Sequence, residues 1–524
     1  FGQTKKISNS TIKKEEATIV NTQIVVLSES ENKVNESNNA RAAVESFKSI
    51  SEDNILEGKK INKKVNFESY NIGTDINKVS CEEAYNFISL PGRDLLQEHK
   101  QIQKIDVLER EVPKELQEGY ISIGKSIKKG IATEAYMSDD KNLGNLGLTV
   151  LGPQGAGKTT YFKRYAKNVI EKEEGLIVLD YIKNCDLANS IQEVVPKERL
   201  IELDLSNPKN LQSFSFNELK INSNEPFEIL ECANLKTQQT ISLINAINDT
   251  GDPLSPRMRR FLSAACNIVY IHDNKSLKDI IRCLEDYKVR NGYIKLIPTN
   301  LKVMLEDEVS CLKELDEVDK KTSEVTGTRD SKIEHILDRV NLLREDLKLK
   351  YMFNIDSSNN INFVKCMDEG KVILIKMPEA KFNSKYVKNI LVTFFISKIW
   401  LSCQVRGAYQ DKPLRNHIIL DEIFQAPTSE TILEDILVQA RKFQLKFVFS
   451  AHYLSQIETI RESLKASGSS YMLFSGTDKK NFKELEDELD PYQLEDLLNL
   501  KEYNSLNLIR VKNGYSSFIT NLKE

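Results

Sequence analysis

Apolar positions along this chain follow two periods, and their alternation predicts the architecture. Short continuous apolar runs stand at Leu148–Leu151 and at residues 176–180, 200–205, 371–377, 417–422, 446–451 and 471–476. A run apolar on both faces belongs in a sheet covered on both sides, so each reads as a buried strand. Behind the first run, Tyr161, Phe162, Tyr165, Ala166, Val169 and Ile170 repeat at helical spacing, and Gly175 closes the repeat. Ile436, Leu437 and Ala440 mark the inward face of another helix, just ahead of 446–451. Strands alternating with helices predict a mostly parallel α/β sheet. Two runs at 506–511 and 515–520, joined through Asn513-Gly514, predict a terminal hairpin. Two shorter strands, at 120–123 and 131–136, are separated by turn residues Gly124 and Lys128-Lys129-Gly130 and form a small β-element ahead of the first buried strand.

Changes in this pattern set the boundaries. Residues 1–65 are rich in Lys, Glu, Asn and Ser without sustained periodicity, which predicts a disordered or tethering segment with a lone strand over 18–27. Residues 66–143 form a helical and small-β lead-in, with a helix at 81–88, and 144–220 the first half of a core domain. Over 221–348 strands give way to helical patterns at 235–247, 257–271, 277–289 and 333–347, predicting an all-helical insertion in which the acidic run 305–321 is a solvated face. Residues 349–480 resume the core, and 481–524 supply a C-terminal helix and the hairpin. The most apolar stretch, 390–400, is interrupted by Lys398 and is shorter than a bilayer requires, so it reads as a buried helix.

Composition narrows the function classes. At 524 residues the chain exceeds one typical domain. With 73 Lys and Arg against 77 Asp and Glu, the formal charge of -4 excludes a uniformly basic nucleic-acid coat while leaving room for a local basic channel. The eight cysteines are scattered without a C-x-x-C pair, so neither a zinc site nor a disulfide framework is expected, and a reducing cytosol fits.

The chemistry starts where the first buried strand ends. Gly152, Pro153, Gln154, Gly155, Ala156, Gly157, Lys158 and Thr159 match G-x-x-x-x-G-K-[ST], with Thr160 following. Glycines allow the backbone to fold into a nest of N–H groups around nucleotide phosphates. Lys158 is then expected on the β/γ-phosphates and Thr159 on Mg²⁺. Hydrolysis of ATP needs a second carboxylate at the metal and a group that activates water. Asp421 and Glu422 close a strand and supply both, Asp421 for Mg²⁺ and Glu422 for water. Asp180 also closes a strand, yet it follows the loop helix too soon and reads as a capping carboxylate. His452, after the strand 446–451, is placed to sense the γ-phosphate, because the carboxyl ends of parallel strands line such sites. Arg441 stands ahead of that strand on its helix and by itself reads as a solvent arginine, though an arginine there could stabilise transition-state charge in a neighbouring subunit's site.

With these elements placed, the chain resembles the FtsK/HerA superfamily of DNA-pumping ATPases, nearest the coupling-protein branch of type IV secretion. The resemblance runs from about Tyr120 onward. It rests on the phosphate loop and its β lead-in, on Pro196-Lys-Glu-Arg199 with Ile201-Glu-Leu-Asp-Leu-Ser206 and Phe216-Asn217, on Leu254-Ser-Pro-Arg-Met258 and on Arg339-Val-Asn-Leu-Leu343. Asp421-Glu422, Ala440-Arg441-Lys442 and Ser450-Ala-His452-Tyr-Leu-Ser-Gln456-Ile457 then follow in the family's order. The resemblance implies a RecA-like P-loop NTPase core with an all-helical insertion, assembled as a homo-oligomer, a hexameric ring that threads DNA. It implies ATP and Mg²⁺ between subunits, Arg441 as a finger into the neighbour, and a cytoplasmic place beside membrane-associated secretion or packaging machinery. His452 departs from the family, where many members carry Gln, which leaves its role as a sensor open. Coupling proteins carry N-terminal membrane helices, and none is visible in this sequence, which begins at Phe1. A genome-packaging or DNA-end-processing ATPase of the same superfamily, or a nucleotide switch that moves nothing, are the alternatives.

Overall fold

Contacts divide the chain into a small unit, Phe1–Asp106, and a large one, Val107–Glu524. The computed structural model describes residues 12, 14, 17–30, 32–48, 56–61, 76–85, 108–221, 223–247 and 253–523. In the small unit, strand β1 (Ile19–Thr22) pairs antiparallel with β2 (Asn77–Ser80), so the strand expected over 18–27 has a partner. The helix expected at 81–88 is Cys81–Tyr85, and residues 86–88 lie outside the described residues. The segment 1–65, read as disordered or tethering, carries a helix, Lys33–Lys48, with no buried residue. Asn32 caps it by accepting the Val34 N–H at 2.9 Å, and Lys48 pairs with Glu45 at 2.7 Å. Local capping and charge pairing form this helix, which an apolar period does not reveal.

The large unit is built on one sheet. In chain order it contains β3 (Ser122–Lys128), β4 (Ile131–Tyr136), β5 (Leu148–Leu151), helix α1 (Lys158–Glu171), β6 (Gly175–Asp180), helix α2 (Asp186–Gln192) and β7 (Leu200–Asp204). An insertion follows, with a ribbon of β8 (Asp316–Val318) and β9 (Val325–Thr328). The sheet then resumes with β10 (Val372–Lys376), helix α3 (Lys385–Tyr409), β11 (Asn416–Leu420), helix α4 (Pro427–Ala440), β12 (Leu445–Ala451), β13 (Ser470–Phe474), β14 (Asn504–Val511) and β15 (Gly514–Asn521). Its eleven strands run in the order β4-β3-β15-β14-β13-β5-β12-β11-β6-β10-β7. From β13 to β7 all neighbours are parallel. From β14 to β4 they are antiparallel, so the terminal hairpin joins the lead-in element to the parallel core.

Parallel crossovers place helices on both faces, and side chains alternate between two apolar layers. Leu176 and Val178 pack with Phe162 and Tyr165 of α1, while Ile177 and Leu179 point into the layer that holds α3. Helix α3 is long and apolar enough to cross a membrane by length and composition, yet 83% of its most apolar stretch is buried. Lys398, the charge that interrupts that stretch, is fully buried and pairs with the equally buried Glu218 at 2.8 Å. Its ammonium also donates to Ser215 O at 2.8 Å and Asn217 Oδ1 at 3.0 Å, so the desolvated charge is compensated.

Two expectations need correction. Gly175 does not end the loop helix; it opens β6, and Glu173 makes the left-handed turn at φ 61°. A Cβ at Gly175 would stand 1.9 Å from Asn416 Oδ1, so the close approach of β11 is what requires glycine there. The insertion is helical apart from the β8–β9 ribbon, which forms within and beyond the acidic run. Asp316 of β8 holds the fully buried Arg290 at 2.7 Å, and Arg290 also donates to Thr328 Oγ1 of β9 at 3.0 Å. A tertiary ion pair, invisible to periodicity, makes the ribbon.

Candidate functional site: the carboxyl edge of the parallel sheet

Strand β5 ends at Leu151, and the loop that follows turns over its own carbonyls. Gly152 N–H donates to Ala451 O of β12 at 3.2 Å, tying the loop to the neighbouring strand end. Gly155 at φ +82° and Gly157 at φ +100° are left-handed, a backbone that only glycine adopts without strain. A Cβ built on Gly155 would meet nothing within 4 Å, so the loop faces open space. Lys158, the first residue of α1, is buried, and its ammonium donates to Gly152 O at 2.7 Å and Pro153 O at 3.0 Å. Burial lowers its pKa, against the pull of Asp421 and Glu422. Thr159 and Thr160 are exposed on the first helical turn, and Gln154 is exposed at the loop's crest.

Asp421 and Glu422 follow β11, next to β12 in the sheet. Asp421 is 8% exposed; burial raises its pKa, and the Ser450 hydroxyl, hydrogen-bonded to its Oδ1, works against that. Glu422 is left-handed at φ 50°, a strained backbone for a residue with a side chain. Its N–H donates to Ser450 Oγ at 3.0 Å, and its Oε2 accepts from Gln425 Nε2 at 2.6 Å. One serine therefore holds both the aspartate side chain and the glutamate backbone.

His452 closes the arrangement. Its Nδ1 lies 3.0 Å from Gly152 O and 3.5 Å from Lys158 Nζ, and its Nε2 lies 3.6 Å from Glu422 Oε1. A carbonyl only accepts, so the contact to Gly152 places the proton on Nδ1. The backbone of His452 is held from both sides, its N–H by Gln456 Oε1 at 2.8 Å and its carbonyl by Asn481 Nδ2 at 2.9 Å. A cleft of about 220 Å³, lined by Pro153, Gln154, His452, Tyr453, Gly476 and Asp478, opens beside the loop. Lys158, Asp421, Glu422 and His452 thus come together from three adjacent strand ends.

Two residues lie outside this group. Asp180 accepts the N–H groups of Ile182 at 3.1 Å and Ala188 at 2.9 Å, and so caps α2. Burial pushes its pKa up to about 6. Arg441 is exposed and precedes β12, at the opposite edge of the sheet from His452. The length of β12, about 20 Å at ~3.3 Å per residue, separates it from the site of its own chain. Among the described residues, no group of three or more His, Cys, Asp or Glu forms a cation cage.

With this geometry in place, comparison with solved structures is informative about the fold. The plasmid coupling protein TrwB in complex with the non-hydrolysable GTP analogue GDPNP aligns with a TM-score of 0.50 and 14% identity, over 74% of this chain and 88% of that one. TrwB in complex with ADP and Mg²⁺ aligns equally well, with the same identity and coverage. The chain shares the TrwB fold. VirB4 of Thermoanaerobacter pseudethanolicus gives a TM-score of 0.48 at 13% identity, over 77% of this chain and 96% of that one. No family model and no curated protein matches the sequence. The RecA-like P-loop core expected from the sequence is thus the fold observed, at an identity that speaks to fold alone.

Several residues that build the site carry no role in the sequence reading. Ser450 and Gln456 lie within the run 450–457, and Gln425 and Asn481 lie outside it. Their work is to hold other residues, and only a third dimension displays that. Ser384, which precedes α3, accepts the Val387 N–H at 3.4 Å as a helix cap.

Proposed function

We propose that this chain binds and hydrolyses ATP at the loop 152–160 and spends the energy moving DNA through a ring of identical subunits. The observation that carries the reading is the convergence of Lys158, Asp421, Glu422 and His452 on one open glycine loop. Lys158 Nζ rests on two loop carbonyls, and incoming β/γ-phosphate oxygens would replace them with charged partners. Thr159 and Asp421 would hold Mg²⁺, which takes one or two protein ligands and fills its shell with phosphate and water. Bound there, magnesium would offset charge on the phosphate oxygens. The fit is supported by a buried carboxylate already oriented by Ser450 and by an exposed threonine on the loop helix.

Glu422, turned by its left-handed backbone and steadied by Gln425, is placed to take a proton from water. The water oxygen bonds to the γ-phosphorus, the bond to the β-bridging oxygen breaks, and its electron pair leaves with ADP. His452 reports on the γ-phosphate through its links to the loop carbonyl and to Glu422. Arg441, exposed and remote from its own site, is free to enter a neighbour's, as a hexameric ring requires. Eight free cysteines fit a reducing compartment and support a cytoplasmic place, peripheral to secretion or packaging machinery at the membrane.

The test is ATP hydrolysis by the full chain, with and without DNA, at low salt. Turnover should rise with DNA and vanish in Lys158→Ala. Arg441→Ala should be inactive alone yet regain part of its turnover when mixed with Lys158→Ala, because mixed rings pair intact loops with intact arginines. Hydrolysis indifferent to DNA would sink the motor, and a monomer in every nucleotide state by light scattering would sink the ring.

A further inference from the structure

The order of strands gives the phosphate loop two unlike flanks. Strand β5 lies between β12 and β13. On the β12 side stand Asp421, Glu422 and His452, the groups that belong at the γ-phosphate end of a nucleotide. On the other side, Phe474 and Tyr503 flank the loop: both Phe474 Cε1 and Tyr503 Cδ1 lie 3.8 Å from a Cβ built on Gly157.

Phe474 is fully buried and packs against Tyr161, so it belongs to the core. Tyr503 is different. The residue is 40% exposed, although Phe474 beside it is fully buried. The backbone that presents it is left-handed at φ 62° and is held on both sides. Tyr503 O accepts the Leu522 N–H at 2.8 Å, and the next residue's carbonyl, Asn504 O, accepts the Ser475 N–H at 3.1 Å. The Lys523 ammonium sits over the ring, 4.5 Å from its centroid. An aromatic ring held in a strained conformation, capped on one face by a cation and left accessible, is a stacking platform awaiting a flat partner.

We propose that Tyr503, backed by Lys523, stacks the purine base of the nucleotide whose phosphates occupy the loop. This rests on the reading of 152–160 as a nucleotide site and adds which residue holds the base. The sheet thereby sorts the ligand end to end, with acid and histidine at the reacting phosphate and aromatic surface at the nucleoside. Every π-face stacks, so the platform favours a purine over a bare phosphate chain without choosing sharply between adenine and guanine.

The experiment compares the affinities of ATP and inorganic tripolyphosphate for the full chain, by titration calorimetry with Mg²⁺. Tyr503→Ala should weaken ATP about tenfold, the usual worth of one base stack, and leave tripolyphosphate unchanged. Tyr503→Phe should bind both ligands as the unmodified chain does, and Lys523→Ala should fall between the two. Retained tripolyphosphate binding shows that the loop of Tyr503→Ala is folded. Equal ATP affinity in Tyr503→Ala and the unmodified chain would overturn the platform while leaving the nucleotide site standing. Failure of the unmodified chain to bind either ligand would overturn the nucleotide site itself.

Discussion

The two edges of the parallel sheet are both rich in polar side chains, and they are built on opposite principles. At the amino edge, the Tyr165 hydroxyl donates to His417 Nδ1 at 2.7 Å, and His417 Nε2–H donates to Glu174 at 2.7 Å. Tyr120 donates to the same carboxylate at 2.6 Å, and Arg415 reaches Tyr120 at 3.0 Å and Asp139 at 2.9 Å. Burial opposes the charge of Glu174, but its bonds from His417, Tyr120 and Arg415 prevail and hold its pKa low. Burial keeps His417 neutral, with a pKa down to about 4. Each of these side chains answers another, and the cluster ties the lead-in element to α1 and β11.

The carboxyl edge keeps its polar groups unspent. Lys158 leans on backbone carbonyls, Asp421 has one serine, and Gly155 of the loop faces open space. Closed networks hold a fold together, whereas polar groups poised over a hollow await a ligand. The density of charge does not separate a site from a brace; the completeness of its partners does.

That contrast can be broken by substitution. The largest effect is expected at the open edge: Glu422→Gln should lower turnover about 10²–10⁴-fold, the usual worth of a proton acceptor, with nucleotide affinity and unfolding midpoint unchanged. Steady-state hydrolysis beside urea melts checks this, and a turnover within a factor of ten of the unmodified chain would remove Glu422 from its role. At the closed edge the reverse is expected. Glu174→Ala leaves the Tyr120 hydroxyl and the His417 Nε2–H without their acceptor, although Arg415 keeps Asp139. It should cost about 2–4 kcal/mol of stability, while the remaining folded molecules hydrolyse normally. Chemical denaturation reads the loss, and a change below about 1 kcal/mol would make the network ornamental.

The pH dependence of stability sharpens the same difference. His417 has a folded pKa below its ordinary 6.5, so the unfolded chain binds the proton more readily. Stability is then full above about 6.5 and falls as the pH drops towards 4, by about 3 kcal/mol from this residue alone. Lys446, buried beside the cluster and pushed down to about 7, adds a loss of the same sign between its unfolded value near 10.5 and 7. His417→Gln should flatten the acid limb, and denaturation curves at pH 7 and pH 5 decide it.

The strands were largely legible, because a buried parallel strand must be apolar on both faces, and 176–180, 417–422 and 446–451 have no other way to be satisfied. The phosphate loop was legible because its backbone demands glycine at fixed places. Asp421 and Glu422 stood out as carboxylates closing an apolar run. The helix Lys33–Lys48 and the β8–β9 ribbon were not, since surface caps and the Arg290–Asp316 pair leave no period in the sequence. Ser450, Gln425 and Asn481 were not legible as supports, because a supporting residue is defined by what it touches.

By itself, then, the sequence determined the apolar order of the sheet, the loop 152–160 and the acids of the second strand end. Each obeys a local rule, whether a period, a glycine conformation or a strand terminus. The tertiary structure alone decided which strands are neighbours. That choice set His452 against Gly152 O at 3.0 Å and turned Glu422 towards His452. It also decided that Glu174 and His417, separated by 243 positions, are partners. Adjacency in a parallel sheet is won by burying whole faces at once, and no short stretch of sequence carries that information.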